Sequence, residues 1–143
     1  MLINLAGAPV IKRWTLKHKM EIFRSRVDTT KKLVETLSRM TKKPKLFINS
    51  SAIGIYDYEN ENDEYTRNFG SNFLSDVVVK WEEEALKAKE LDMRVAILRF
   101  GVILGKNGGA FPLMSRPFKY GVGGKIGSGN QVMSFIHIND LIE

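Results

Sequence analysis

The feature that most constrains this chain is an alternation. Three short apolar runs, "LINLA" (residues 2–6), "KLFINSS" (45–51) and "MRVAILRFGVILG" (93–105), are separated by two long stretches of helical periodicity. Residues 16–40 place Met20, Phe23, Val27, Val34 and Leu37 at three- and four-residue steps between charged side chains, and Pro44 ends the stretch. Residues 72–91 repeat the pattern with Phe73, Val77, Trp81, Ala85 and Ala88. Strand, helix, strand, helix, strand requires crossover connections, which predict right-handed βαβ units around a parallel sheet. The expected fold class is α/β with helices on both faces of the sheet, a three-layer arrangement.

In such sheets ligands bind beyond the carboxyl ends of the strands. Here those ends are Ala6 and Gly7, Ser50 and Ser51, and Arg99, Phe100 and Gly101. The serines either position a reacting carbonyl or carbinol or merely terminate the strand. Arg99, a cation inside an apolar run, implies an ion pair or an anion contact. Trp81 and Glu82 read as packing and a solvated charge, and Glu82, Glu83 and Glu84 splay around their helix rather than forming an acid/base pair.

Between the second strand and second helix, "AIGIYDYENENDEYTRNFGSN" is a long polar connection, a length that marks functional or mobile segments. Near the C-terminus, "GKNGGAFPLMSRPFKYGVGGKIGSGNQ" reads as glycine-rich loop, and "VMSFIHINDLIE" as a short strand entering a helix. Gly121, Gly124 and Gly127 match a GxxGxxG pattern, yet the strand-like sequel "SGNQVMSFIHI" is wrong for a phosphate loop, which must open a helix. A substrate-side loop or a plain surface loop remains.

Composition narrows the chemistry. With no cysteine there is no disulfide framework or thiolate metal site, and His18 and His137 lie far apart, so no metal centre is expected. A cytoplasmic setting is expected. The first apolar run precedes its charges, the reverse of a signal peptide, and no run is long enough to span a bilayer. Residues 1–45 carry 12 Lys/Arg against 3 Asp/Glu, but no aromatic-interleaved basic motif accompanies them, so no nucleic-acid partner is expected.

Taken in order, "INLAGAPV", "RW", "SRVDTT", "SSAIGIY", "WEEEA", "LRFGVILG", "GGAF", "PF" and "GSGNQVMSFIHINDL" resemble the extended short-chain dehydrogenase/reductase superfamily. The branch is that of nucleoside-diphosphate-sugar epimerases, some labelled cell-division-inhibitor homologues. The resemblance implies a partial Rossmann-like domain, with residues 1–105 the central part of an NAD(P)-binding domain and 106–143 a substrate-side portion of the same unit. It also implies that a leading segment with the glycine-rich phosphate loop precedes residue 1, which explains why the chain opens on a greasy strand. NAD or NADP is the implied cofactor, weakly bound or unbound by these residues alone, and a nucleotide-sugar is the implied small-molecule substrate. Asn4, Leu5, Ala6, Gly7, Ser50, Arg99, Phe100, Gly101 and Val102 would border the cofactor, and Ser51 would be the catalytic-region serine. The superfamily's Tyr-x-x-x-Lys pair is missing: Leu74 and Val78 occupy its places, and no tyrosine of the chain has a lysine four residues later. Tyr56 is the candidate substitute, or else a packing residue. An enzyme and a non-catalytic nucleotide-binding or protein-interaction protein therefore both stand. An uncovered sheet edge at residues 2–6 implies self-association.

Overall fold

The computed structural model describes residues 1–63, 65–125 and 127–143. It divides into two compact units, Met1–Arg99 and Phe100–Glu143.

In the first unit, β1 (Leu2–Asn4), β2 (Leu46–Ala52) and β3 (Arg94–Phe100) form a sheet in the order β1-β2-β3. β1 and β2 run parallel, with Leu2, Ile3 and Asn4 opposite Phe47, Ile48 and Asn49. The intervening helices are α1 (Leu16–Ser38) and α2 (Phe73–Leu86). Thr15 caps α1 by accepting from the His18 amide, and Asn72 caps α2 by accepting from the Leu74 and Ser75 amides. A 3-10 turn (Lys87–Leu91) follows α2, and Asp92, in the left-handed region at φ 57°, turns the chain into β3.

Leu2, Phe47, Val95 and Ile97 of the sheet pack with Val34 and Leu37 of α1 and Ala85 and Ala88 at the end of α2. Both helices therefore cover one face. Side chains alternate along a strand, so Ile3 and Leu98 point to the opposite face, and there they stay 49% and 41% exposed. The α/β class and the parallel ladder are as expected, and this unit supplies the sheet and one helical layer. On α1 the buried stripe is His18, Ile22, Val27, Thr30, Val34 and Leu37. Met20, read as core, is exposed, because it lies two residues before Ile22 and thus on the far side of the turn.

The connection after β2 is more ordered than its composition suggests. A 3-10 turn (Ile53–Ile55) opens it, Tyr56 bridges to Phe69, and the Gly70 amide donates to the Ile55 carbonyl. Asp57 and Asp63 each accept from following backbone amides, and their carboxyls sit below the usual range, chiefly through hydrogen bonds from Asn60 and Thr66.

In the second unit, β4 (Val102–Gly105) pairs antiparallel with β5 (Gly108–Gly109) and parallel with β6 (Phe135–His137). The predicted single strand 93–105 is thus two strands in two sheets, broken at Gly101. A Cβ there would lie 2.5 Å from the Ser134 carbonyl oxygen, so only glycine permits this approach. Helix α3 (Ala110–Lys119) occupies what reads in the sequence as loop. Its Pro112 falls in the first turn, where an amide has no intrahelical partner to lose. As expected, β6 leads into a short helix, α4 (Ile138–Ile142). Gly121, Gly124 and Gly127 lie between α3 and β6 and open no helix. Among the described residues no helix is long and apolar enough to cross a membrane.

Candidate functional site

Two strands ending side by side create the site. Asn4 and Asn49 are register partners, so the residues after Asn4 and the serines after Asn49 emerge at one edge of the sheet. Asn4 is held from below. Its Nδ2 donates to Asn49 Oδ1 at 2.7 Å and to Thr30 Oγ1 at 3.0 Å, and its Oδ1 accepts from the Ala6 amide at 3.1 Å. Thr30 Oγ1 also accepts from the Trp81 indole at 2.9 Å, and Asn49 Nδ2 donates to the Ser50 carbonyl at 2.7 Å. This network of buried polar groups ties β1, β2, α1 and α2 together just beneath the strand ends.

A second cluster lies one step further along β2. The Ser51 hydroxyl donates to Glu82 Oε1. Arg99 grips the same carboxylate in a bidentate pair, Nε to Oε1 at 2.8 Å and Nη2 to Oε2 at 2.7 Å, and its Nη1 donates to the Tyr56 hydroxyl at 2.8 Å. The guanidinium also lies over the rings of Tyr56 and Phe69, 5.3 and 5.4 Å from their centroids. Hydrogen bonding to Glu82, and then to Tyr56, holds the Arg99 guanidinium above its ordinary pKa, so it is permanently charged.

The chemical consequence is an assignment of donors and acceptors. Ser51's proton is committed to Glu82, which leaves its oxygen lone pairs as acceptors. Tyr56's oxygen is committed to Arg99, which leaves its own proton to be donated. Ser51, Tyr56 and Glu82 are all buried, at 5%, 9% and 7% exposure.

Of the residues expected to border a cofactor, Asn4 and Arg99 spend their side chains inside the protein. Arg99 is an ion-pair partner, one of its two readings. Leu5 is exposed, Ala6 is fixed by Asn4, and Gly7 packs against the Arg26 guanidinium. Ser50 is buried beside Ser51. Phe100, Gly101 and Val102 fall in the second unit, where the Val102 amide donates to the Ser134 carbonyl. Glu82 is a correction: read as solvated, it is the centre of the cluster. The signal was available, because Val78, Glu82 and Ala85 follow the same helical spacing as the core and Arg99 needed an acid.

The model of the NAD dependent epimerase/dehydratase family matches residues 1–143. The chain belongs to that family. This family member is 45% identical to an epimerase family protein of Staphylococcus aureus (strain N315), over 100% of its own length and 48% of the relative's. It is 44% identical to one from Staphylococcus epidermidis, again over 48% of that protein. The chain thus spans about half the length of the curated relatives it matches. A human epimerase family protein (isoform 2), in a crystal structure with NADPH, superposes with a TM-score of 0.83 at 33% identity, covering 97% of this chain and 48% of that one. UDP-glucuronic acid 4-epimerase from Bacillus cereus, in complex with UDP-glucuronic acid and NAD, gives 0.81 at 20% identity over 96% and 45%, which shows the shared fold. The resemblance read from the sequence segments is therefore correct, and so is the Rossmann-like class.

Residues 5–7 form an accessible wall at this strand end: Leu5 is 70% exposed, and Ala6 and Gly7 carry little or no side chain.

Proposed function

We propose that this chain is the central and substrate-side part of an NAD(P)-dependent oxidoreductase acting as a nucleoside-diphosphate-sugar epimerase. The observation that carries the reading is Ser51 at the carboxyl end of β2, coupled through Glu82 and Arg99 to Tyr56, in a member of an NAD-dependent family. The chemistry that a bound nicotinamide would supply is reversible hydride transfer at a carbinol carbon. The chain's own residues handle the substrate oxygen. Ser51 accepts from the carbinol O–H and orients it, while the Tyr56 oxygen takes the carbinol proton as the hydride leaves and gives it back to the carbonyl oxygen when the hydride returns. Residues 5–7, beside them at the strand edge, border the cofactor.

A second reading is favoured by α2. Leu74 and Val78 stand where the superfamily's proton-transfer pair belongs, and Val78 is packed with Ile55 and Tyr56 rather than facing a ligand. That reading is a nucleotide-binding or protein-interaction protein without turnover. NAD(P)H oxidation by the full translation product over a panel of UDP-sugar carbonyl substrates separates the two. Turnover that falls on the order of a hundredfold in Ser51→Ala supports the enzyme. Nucleotide binding without turnover in the parent and the variant alike supports the alternative.

The exposed edge has its own expected result. β1 ends the first sheet, and Leu5 is 70% exposed beside Ile3, so the 143-residue chain should self-associate through this edge. Light scattering showing a monomer at high concentration would count against it.

A further inference from the structure

The first hairpin of the second unit is built on a turn that does not suit it. β4 and β5 pair Gly105 with Gly108 and Leu104 with Gly109, which leaves Lys106 and Asn107 as a two-residue loop. Such loops favour the mirror-image turns with positive φ at a central residue, because those match the twist of the flanking strands. Lys106 and Asn107 do not adopt it: among the described residues Asp92 is the one non-glycine residue with positive φ. The glycine that an Asn-Gly turn would use stands one position too late, in the strand. The ladder stops at Gly109, whose φ of 75° turns the chain into α3.

That loop carries a reactive pair. Asn107 is followed by Gly108, and none of the chain's other asparagines precedes a glycine. Both residues are exposed. A Cβ on Gly108 would meet nothing within 4 Å, so its amide nitrogen is shielded neither by a side chain of its own nor by a neighbour's. The Asn107 carboxamide hydrogen-bonds to no group among the described residues. Asn4, Asn49, Asn60, Asn62 and Asn72, by contrast, each hold a partner through theirs.

We propose that Asn107 is a site of spontaneous deamidation, and that the isoaspartate formed there unlatches β5. The Gly108 amide nitrogen attacks Asn107 Cγ. A Cγ–N bond forms as the Cγ–Nδ2 bond breaks, and Nδ2 leaves as ammonia with the proton lost by the Gly108 amide. The product is a five-membered succinimide, with no change in oxidation state. Solvent water then opens the ring. Attack at Cγ gives aspartate on an unchanged backbone, whereas attack at the Asn107 carbonyl carbon gives isoaspartate, in which the main chain runs through Cβ and Cγ. None of these steps depends on the chain's being an oxidoreductase.

The two products differ in what they do to the hairpin. Aspartate adds a negative charge just ahead of α3, whose first turn holds no acid, and a charge of that sign suits the start of a helix. The pairing of β4 with β5 is untouched. Isoaspartate instead lengthens the two-residue loop by one backbone carbon. Loop length sets hairpin register, and β5 is only the two residues Gly108–Gly109, so both of its register pairs are displaced together.

The test is to age the full chain at neutral and mildly alkaline pH beside a synthetic peptide of residues 102–112, with peptide mass spectrometry locating the amide-to-acid mass gain. Conversion at Asn107 should quicken as pH rises and run within about tenfold of the peptide's rate, because so short a ladder opens at little cost, about 1.4 kcal/mol or less. Gly108→Ala should slow it roughly tenfold, since a Cβ then crowds the attacking nitrogen and narrows the backbone's freedom. Asn68 and Asn130, exposed but not followed by glycine, should stay intact over the same period. Slower conversion in the chain than that, or conversion of Asn68 or Asn130 first, overturns the site. Isoaspartate is scored by methyl transfer from S-adenosylmethionine with a purified isoaspartyl carboxyl methyltransferase. In chains so scored, the NMR contacts of Leu104 with Gly109 and of Gly105 with Gly108 should be lost, while Asn107→Asp keeps them. Contacts that persist in the isoaspartyl chain overturn the unlatching.

Discussion

Replacing Glu82 with alanine is expected to destabilise the first unit by about 3–5 kcal/mol, because it strands an enclosed guanidinium and removes the acceptor of Ser51. A fifth of the Arg99 side chain remains exposed (21%), so the lower end of that range is the better guide. At an m-value of about 2 kcal/mol/M the urea midpoint should drop by roughly 1.5 M. Arg99→Met should cost a similar amount, now leaving a buried carboxylate without its cation. The informative variant is the double one. Glu82→Leu with Arg99→Met removes both charges, and what remains is the cost of two hydroxyls, on Ser51 and Tyr56, without their partners. The double variant should therefore be no less stable than either single one. Simple additivity of the two costs in urea denaturation would show that the charges do not depend on each other, and the cluster would then lose its claim to organise Ser51 and Tyr56.

The second large effect is expected at Thr30, which is fully buried. Its hydroxyl accepts from both Asn4 and Trp81, so Thr30→Val, which keeps the shape, should cost about 2–4 kcal/mol by leaving the indole N–H without an acceptor and Asn4 with one fewer. Thr30→Ser should recover most of the loss. The reason this matters for function is positional. Asn4 turns the chain at the end of β1 by accepting from the Ala6 amide, so loosening Asn4 loosens residues 5–7 as well. Hydrogen exchange at Ala6 should accelerate in Thr30→Val and not in Thr30→Ser. A valine variant within about 0.5 kcal/mol of the parent would mean that the indole and amide find other partners.

These two clusters also mark where the sequence stops being readable. The order of strands and helices and the stripe of Val27, Val34 and Leu37 follow from apolar periodicity, and the folded chain keeps them, while the strand read over residues 2–6 closes at Asn4, where the Asn4 side chain accepts from the Ala6 amide, and β2 runs to Ala52. Periodicity is blind to polar groups that are buried because they are paired. Thr30 and Asn49 lie at core positions for that reason, and Glu82 passes as a surface charge when it is read with Glu83 and Glu84 instead of with Val78 and Ala85. The split at Gly101 was hidden differently. Residues 93–105 stay apolar on both sides of Gly101 apart from Arg94 and Arg99, and the approach of the Ser134 backbone that makes Val102–Gly105 a separate strand comes from a segment more than thirty residues away. Helix α3 is masked by flanking glycines and two prolines: Pro112 sits in the tolerant first turn, whereas Pro117 lies inside the helix and has no amide to donate to the Leu113 carbonyl.

The bridge between Tyr56 and Phe69 has a consequence for how such a protein can change. The excursion 57–68 leaves and rejoins the body at one fastened neck, where both aromatic rings rest against Arg99. Closure entropy rises only slowly with the number of residues enclosed, by about 0.6 kcal/mol for each doubling. Insertions and deletions beyond the neck therefore leave the serine and its carboxylate undisturbed. The segment is free to drift in length and character while the chemistry beneath it is inherited intact.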